Sequence, residues 1–224
     1  MSYKETINDV KVPSYTKEQE RFNTISHLLG IPLAAVLLII GLVRLFNGAI
    51  DASSFLGILV FVITIVDVYF VSSLYHSTPN DVFNKKLFRV LDHCTIYLLI
   101  AGTYTPICVA LMKEHTIGLI MLIIEWVSAL LGIVLNAFFF KNKAVQIISL
   151  ILYLVMGWLA VICGGFLYMP IFCFAFILAG GIVYSIGAIL YSVGKKNLWF
   201  HCIFHVFVIV STVVQAIGVM SLLF

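Results

Sequence analysis

The sequence is short of charge. Of its 224 residues only 10% are Asp, Glu, Lys or Arg, whereas 62% are hydrophobic. A soluble domain carries about 25% charged residues and about 45–50% apolar ones. This chain therefore has too little charge to cover a water-facing surface, and a mean hydropathy of +1.14 agrees. A soluble enzyme and a disordered chain are both excluded. The net charge of +3 is too small and too scattered for a nucleic-acid binder. Cysteine is sparse and odd in number: Cys94, Cys108, Cys163, Cys173 and Cys202, each in an apolar segment and none in a CxxC pair. No disulfide framework is expected, and the five read as small buried hydrophobes. Alternation of polar and apolar residues is missing as well, which disfavours a transmembrane β-barrel. No signal peptide is expected: the first apolar run, Phe22 to Val43, follows 21 more polar residues and lacks a small-residue cleavage site.

What is present is a series of long uncharged runs punctuated by charge, the pattern of an all-α polytopic membrane protein. Seven spans of about 22 residues would use roughly 154 residues and leave about 70 for ends and loops. The spans are expected at about 24–45, Ser54–His76, Leu91–Met112, Thr116–Phe138, 144–164, 169–192 and Trp199–Leu223. Ala144 to Gly194 holds 51 residues without an acidic or basic side chain, enough for two spans, with Gly164-Gly165 and Pro170 marking the turn. The organisation is then an N-terminal tail, 1–21, and a single seven-helix transmembrane domain, 22–224. With seven spans, Lys4, Lys11, Lys17, Arg21, Lys85, Lys86, Arg89, Lys141, Lys143, Lys195 and Lys196 share one side, against Arg44 and Lys113 on the other. By the positive-inside rule the N-terminus is cytoplasmic and the C-terminus external.

Ionisable residues inside spans are costly and are functional candidates by default. Span parity brings His76 at the end of the second span, Asp92 at the start of the third, and His201 and His205 at the start of the seventh to similar depth on the cytoplasmic side. His201-Cys-Ile-Phe-His205 is an HxxxH, whose i and i+4 side chains share a helix face and can reach one ion. Ser72 lies one turn from His76 on the same face. Imidazole suits Zn²⁺, and three protein ligands plus a water describe a catalytic zinc site. A bare HxxxH equally describes packing histidines; the third His and the Asp favour metal. Glu20, Asn23 and His27, at i, i+3 and i+7, form a stripe that reads either as a second polar shell or as a headgroup anchor. His93 points about 100° from Asp92, which suggests a local role. Asp67 is half a turn out of phase with His76, and Glu125 sits alone in the fourth span. Thr103 is nearly in phase with Asp92 and about 16 Å deeper, so it can line a cavity above the site.

The residues also match a family. Glu20-x-x-Asn23-x-x-Ser26-His27-x-x-Gly30, Ser72-Ser-Leu-Tyr-His76-Ser77, Leu91-Asp92-His93, the run from Ile96 to Pro106, Gly180-Gly181-x-x-Tyr184-x-x-Gly187 and His201-x-x-x-His205 resemble the haemolysin III family. This is the bacterial branch of the progestin and adipoQ receptor group, in a wider superfamily with the alkaline ceramidases. The resemblance runs from about Glu20 to Gly218. It implies His76, His201 and His205 as zinc ligands, Asp92 holding the zinc water and Ser72 nearby. Phe204 stands where the family usually has Trp, and Gln215 where a later His is common, leaving polar contacts deeper in the last span, with Thr103 and Gln215 as cavity residues. The resemblance further implies a multi-pass plasma-membrane protein whose partners are membrane lipids. Metal-dependent hydrolysis of a lipid amide or ester is the expected activity, with substrate arriving laterally from the bilayer. A pore-forming cytolysin, or a receptor-like regulator with a structural zinc, are the alternatives.

The charge asymmetry makes the first prediction. A reporter fused to the N-terminus is expected to read cytoplasmic and one fused after Phe224 external. Both ends on one side would break the seven-span count.

Overall fold

The computed structural model describes residues 3–80, 82–194 and 197–224. Lys195 and Lys196, part of the charge asymmetry, lie outside the described residues. Among those described, the chain is all-α. Its helices are α1 (Tyr3–Asn8), α2 (Lys17–Leu28), α3 (Gly30–Phe46), α4 (Ala52–Ser77), α5 (Phe83–Met112), α6 (Thr116–Phe139), α7 (Lys143–Gly157), α8 (Leu159–Ile162), α9 (Ile171–Val193) and α10 (Trp199–Met220). Six segments are long and apolar enough to cross a bilayer: Lys17–Phe46, α4, α5, α6, α9 and Trp199–Leu223. The remaining apolar segment is α7 followed by α8.

Helix starts follow local chemistry. Thr16 caps α2 through a reciprocal box: Gln19 N–H donates to Thr16 Oγ1 at 3.3 Å, and Thr16 N–H donates to Gln19 Oε1 at 2.9 Å. Asp51 caps α4 by accepting from Ser54 N–H at 2.8 Å. The Lys113 ammonium beside Asp51, with Ser53 and Ser54, holds that carboxyl well below the usual carboxylate range. Gly164, at φ +67°, opens the turn before α9, where the sequence expected one. At the far end of the bundle Arg44 donates through Nε and Nη2 to the Leu223 carbonyl at 2.8 and 2.5 Å.

Three boundaries differ from the sequence expectation. The first crossing begins at Lys17 inside the expected tail, and α5 begins at Phe83, eight residues before Leu91. Lys85, Lys86 and Arg89 mark the edge of the apolar run, yet a helix does not have to end where hydrocarbon does. The fifth span is interrupted: α7 stops at Gly157 and α8 restarts at Leu159. A broken helix frees backbone groups that hydrocarbon cannot satisfy. Tyr104 of α5 fills the gap. Its hydroxyl donates to the Gly157 carbonyl at 2.9 Å and accepts from Ala160 N–H at 3.1 Å.

The most enclosed crossing is α5, with α4 and α6 packed along it; α9 packs on α10. Between α4 and α5 the approach is closest at Gly102 and Gly57. A Cβ at Gly102 would lie 2.0 Å from Thr64 Oγ1, and one at Gly57 would lie 2.9 Å from Pro106 Cα. Helix α2 packs on both α4 and α10 and so joins the two histidine-bearing helices. The N-terminal segment is tied to the same end of the bundle. Ile7 and Val10 are buried with Val90, Cys94 and Phe140, while Asp9 pairs with Lys141 at 2.7 Å.

Removing the Tyr104 hydroxyl would leave a buried N–H and carbonyl unpaired at the break, each worth about 1–3 kcal/mol. Tyr104→Phe is therefore expected to lower unfolding stability in detergent by about 2–4 kcal/mol, whereas Gly157→Ala, whose Cβ meets nothing within 4 Å, should be neutral or better. Equal stability of Tyr104→Phe and the parent would contradict this account.

Candidate metal centre

Three histidines converge at the end of the bundle that carries the N-terminal segment. His76 is in the last turn of α4, and His201 and His205 are in the first two turns of α10. All three are buried, at 2%, 7% and 1% exposure. His201 Nε2 lies 3.2 Å from His76 Nε2 and 3.0 Å from His205 Nε2. His201 Nε2 offers one in-plane proton or one in-plane lone pair, so a single hydrogen bond cannot serve both neighbours. An ion at the centre resolves that conflict. Ligand nitrogens at about 2.0–2.1 Å on a tetrahedral ion stand about 3.3–3.4 Å apart, close to the separations found. The three rings can hold a metal ion; among the described residues they are the one cluster of His, Cys, Asp or Glu with that geometry.

The residues around them fall into three groups. Ser72, one turn from His76, is fully buried, and its Oγ has no hydrogen-bond partner among the described residues. Helix α2 supplies the polar stripe expected from its spacing. Glu20 Oε2 lies 2.6 Å from His76 Nδ1, the Asn23 amide nitrogen 3.4 Å from the same atom, and His27 stacks on His205 with centroids 3.7 Å apart. Lys85, from the first turn of α5, is fully buried and donates to Glu20 Oε1 at 2.7 Å.

Tyr15 covers the cluster from the N-terminal segment. Its ring centroid lies 5.4 Å from that of His76 and 5.3 Å from that of His201. Burial, then Tyr75 and Tyr191 nearby, push its phenol well above the usual tyrosine range; Asp92 adds to the effect and Arg89 opposes it. Beside Tyr15 a cleft of about 400 Å³, lined by Lys17, Glu20, His76 and residues 77–80, reaches the surface.

Asp92 is at the same end of the bundle but outside the three-histidine group. Its Oδ2 is 4.0 Å from His93 Nδ1. The His93 ring nitrogen also bonds the Arg89 carbonyl at 2.9 Å, a local contact as the sequence suggested. The two expected cavity residues are both buried. Thr103 Oγ1 donates to the Leu99 carbonyl at 2.7 Å. Gln215 Nε2 is 3.5 Å from the Ile177 carbonyl, and its stem fills the space left by Gly180, where a Cβ would meet Gln215 Cγ at 2.3 Å. Glu125 is fully buried with neither oxygen partnered among the described residues, and Asp67 is half-buried.

Sequence reasoning missed three contributors. Lys85 reads as a loop cation, Tyr15 as part of a polar tail, and Tyr191, whose ring lies 5.4 Å from His201, as one more aromatic in α9.

Known proteins resemble this chain over most of its length. The description "Haemolysin-III related" fits residues 15–216. The "Hemolysin-3 homolog" of Bacillus subtilis (strain 168) is 37% identical over 199 residues, covering 87% of this chain and 90% of that protein. "Hemolysin-3" of Bacillus cereus is 36% identical over 203 residues, covering 89% of each.

Purified protein is expected to bind about one divalent ion per chain. His76→Ala or His201→Ala should weaken binding by more than about 100-fold, beyond the range of outer-shell changes, while His115→Ala, in an exposed loop, should not. Metal content unchanged in a His76→Ala, His201→Ala double variant would refute the site.

Proposed function

The chain belongs to the haemolysin III family, and on that premise we propose that it is a zinc-dependent lipid hydrolase of the plasma membrane. The observation that carries this reading is the convergence of three buried imidazoles, with His201 Nε2 at 3.2 and 3.0 Å from His76 and His205 Nε2, at one end of a membrane-spanning bundle. His76, His201 and His205 would hold the ion. Zinc bound by three histidines makes water acidic near neutral pH and polarises a carbonyl oxygen. Three protein ligands leave a coordination position open, which a purely structural zinc with four ligands would not.

The chain's own residues divide the remaining work. Asp92 would orient the attacking water, take its proton and return it to the leaving nitrogen or oxygen as the acyl bond breaks. Ser72 Oγ, with no partner among the described residues, is free to donate a hydrogen bond to the substrate's oxygen. Tyr15 and the aromatic rings around the histidines keep bulk water from the reacting atoms. Acyl chains lie against the apolar bundle, and the scissile group is an amide or an ester. The names of the two Bacillus relatives favour a second reading, a lytic protein that permeabilises membranes.

Asp92→Asn separates these readings. In protein saturated with zinc, turnover of the affected lipid, followed by mass spectrometry of membranes, is expected to fall about 10²–10⁴-fold, the range for a lost general base. A folded, fully metallated Asp92→Asn protein with parental turnover would overturn the hydrolase reading. Leakage of liposomes that survives chelation would favour lysis.

A further inference from the structure

Buried lysine is uncommon, and Lys85 is fully enclosed. Its ammonium meets Glu20 Oε1 at 2.7 Å and the face of Tyr75, 4.6 Å from the ring centroid. Glu20 faces the other way with its second oxygen, which lies 2.6 Å from His76 Nδ1. Three side chains from α5, α2 and α4 thus form one line ending on a metal-facing imidazole. An ionised carboxylate only accepts hydrogen bonds. Glu20 bridges Lys85 Nζ and His76 Nδ1, a geometry that suits a carboxylate accepting from both, with the ring proton of His76 on Nδ1. The Nε2 of His76 is then the bare nitrogen, and it is the nitrogen that faces His201. A carboxylate behind a ligating histidine fixes its tautomer and ring orientation and raises its basicity.

We propose that Glu20 and Lys85 are positioning residues for the metal centre: Lys85 holds Glu20, and Glu20 holds His76 with its Nε2 presented to the ion. The proposal rests on the metal reading of the three histidines. The arrangement also explains why a lysine is tolerated in the enclosed first turn of α5. Without Glu20 the ammonium would be a buried charge with only the Tyr75 face beside it.

Zinc affinity of the full-length protein, measured by competition with a chromophoric chelator, tests this alongside the unfolding midpoint of the metal-free protein. Glu20→Gln should weaken zinc by about 10–100-fold, because the amide has no negative charge to support the imidazole. Lys85→Met should weaken it too. In the Glu20→Gln background, however, Lys85→Met should change affinity by less than about two-fold, since it acts through a group already lost. A merely structural role predicts independent effects that follow the unfolding midpoint instead. Independent effects on affinity, or unchanged affinity in Glu20→Gln, would overturn the relay. If His76→Ala also binds zinc normally, the metal reading has failed; if His76→Ala loses zinc while Glu20→Gln keeps it, only the relay has failed. Should a variant not fold, ¹⁵N-histidine NMR of the unsubstituted protein loaded with zinc decides the matter. His76 protonated at Nδ1 is the expected result, and protonation at Nε2 contradicts the proposal.

Discussion

Hydrocarbon accepts no hydrogen bonds, so a polar group inside this bundle has to find its partner within the protein or go without. Much of the architecture answers that demand. Tyr104 satisfies both backbone groups freed where the helix breaks at Trp158. Tyr69 and Tyr184 both meet Thr212 Oγ1, at 2.8 and 2.6 Å, joining α4, α9 and α10 through hydroxyls. Arg44 closes the last carbonyls of the chain at the opposite end. Against this background several buried polar atoms, those of His27, Tyr75 and Ser211 included, lack a partner among the described residues. Ser72 Oγ beside the histidines and Glu125 far from them are buried with no partner among the described residues. The first borders a site with an obvious occupant in a divalent ion or substrate.

The same constraint explains what could be read in the sequence. Charge is so rare that each gap between charged residues marks a crossing, and the spans from Ala52 to Ser77 and from Trp199 onward fall within two or three residues of expectation. HxxxH and SxxxH are local spacings on a helix, so the grouping of His201, His205, His76 and Ser72 follows from 3.6 residues per turn and span parity. The Glu20, Asn23 and His27 stripe was visible for the same reason, with its role left open.

What the sequence hid depends on packing between distant segments. Nothing near Lys85 distinguishes it from Lys86, yet one is sealed against Glu20 and Tyr75 and the other reaches the Asn8 carbonyl at the surface. Tyr15 meets His76 and His201 only because Ile7 and Val10 bind the N-terminal segment to α5 and α6. The break at Trp158 has no proline to announce it, and its remedy sits 53 residues away in α5. Gln215 looked like a free polar group deep in the last helix; a glycine on α9 gives it a packed position instead.

The central claim is that three imidazoles from α4 and α10 hold one ion. Zinc-edge X-ray absorption of the purified protein reads the ion's surroundings directly. The account predicts a first shell of nitrogen or oxygen at about 2.0–2.1 Å, with outer-shell scattering from three imidazole rings. A sulfur shell near about 2.3 Å, or a first shell without imidazole scattering, would contradict it.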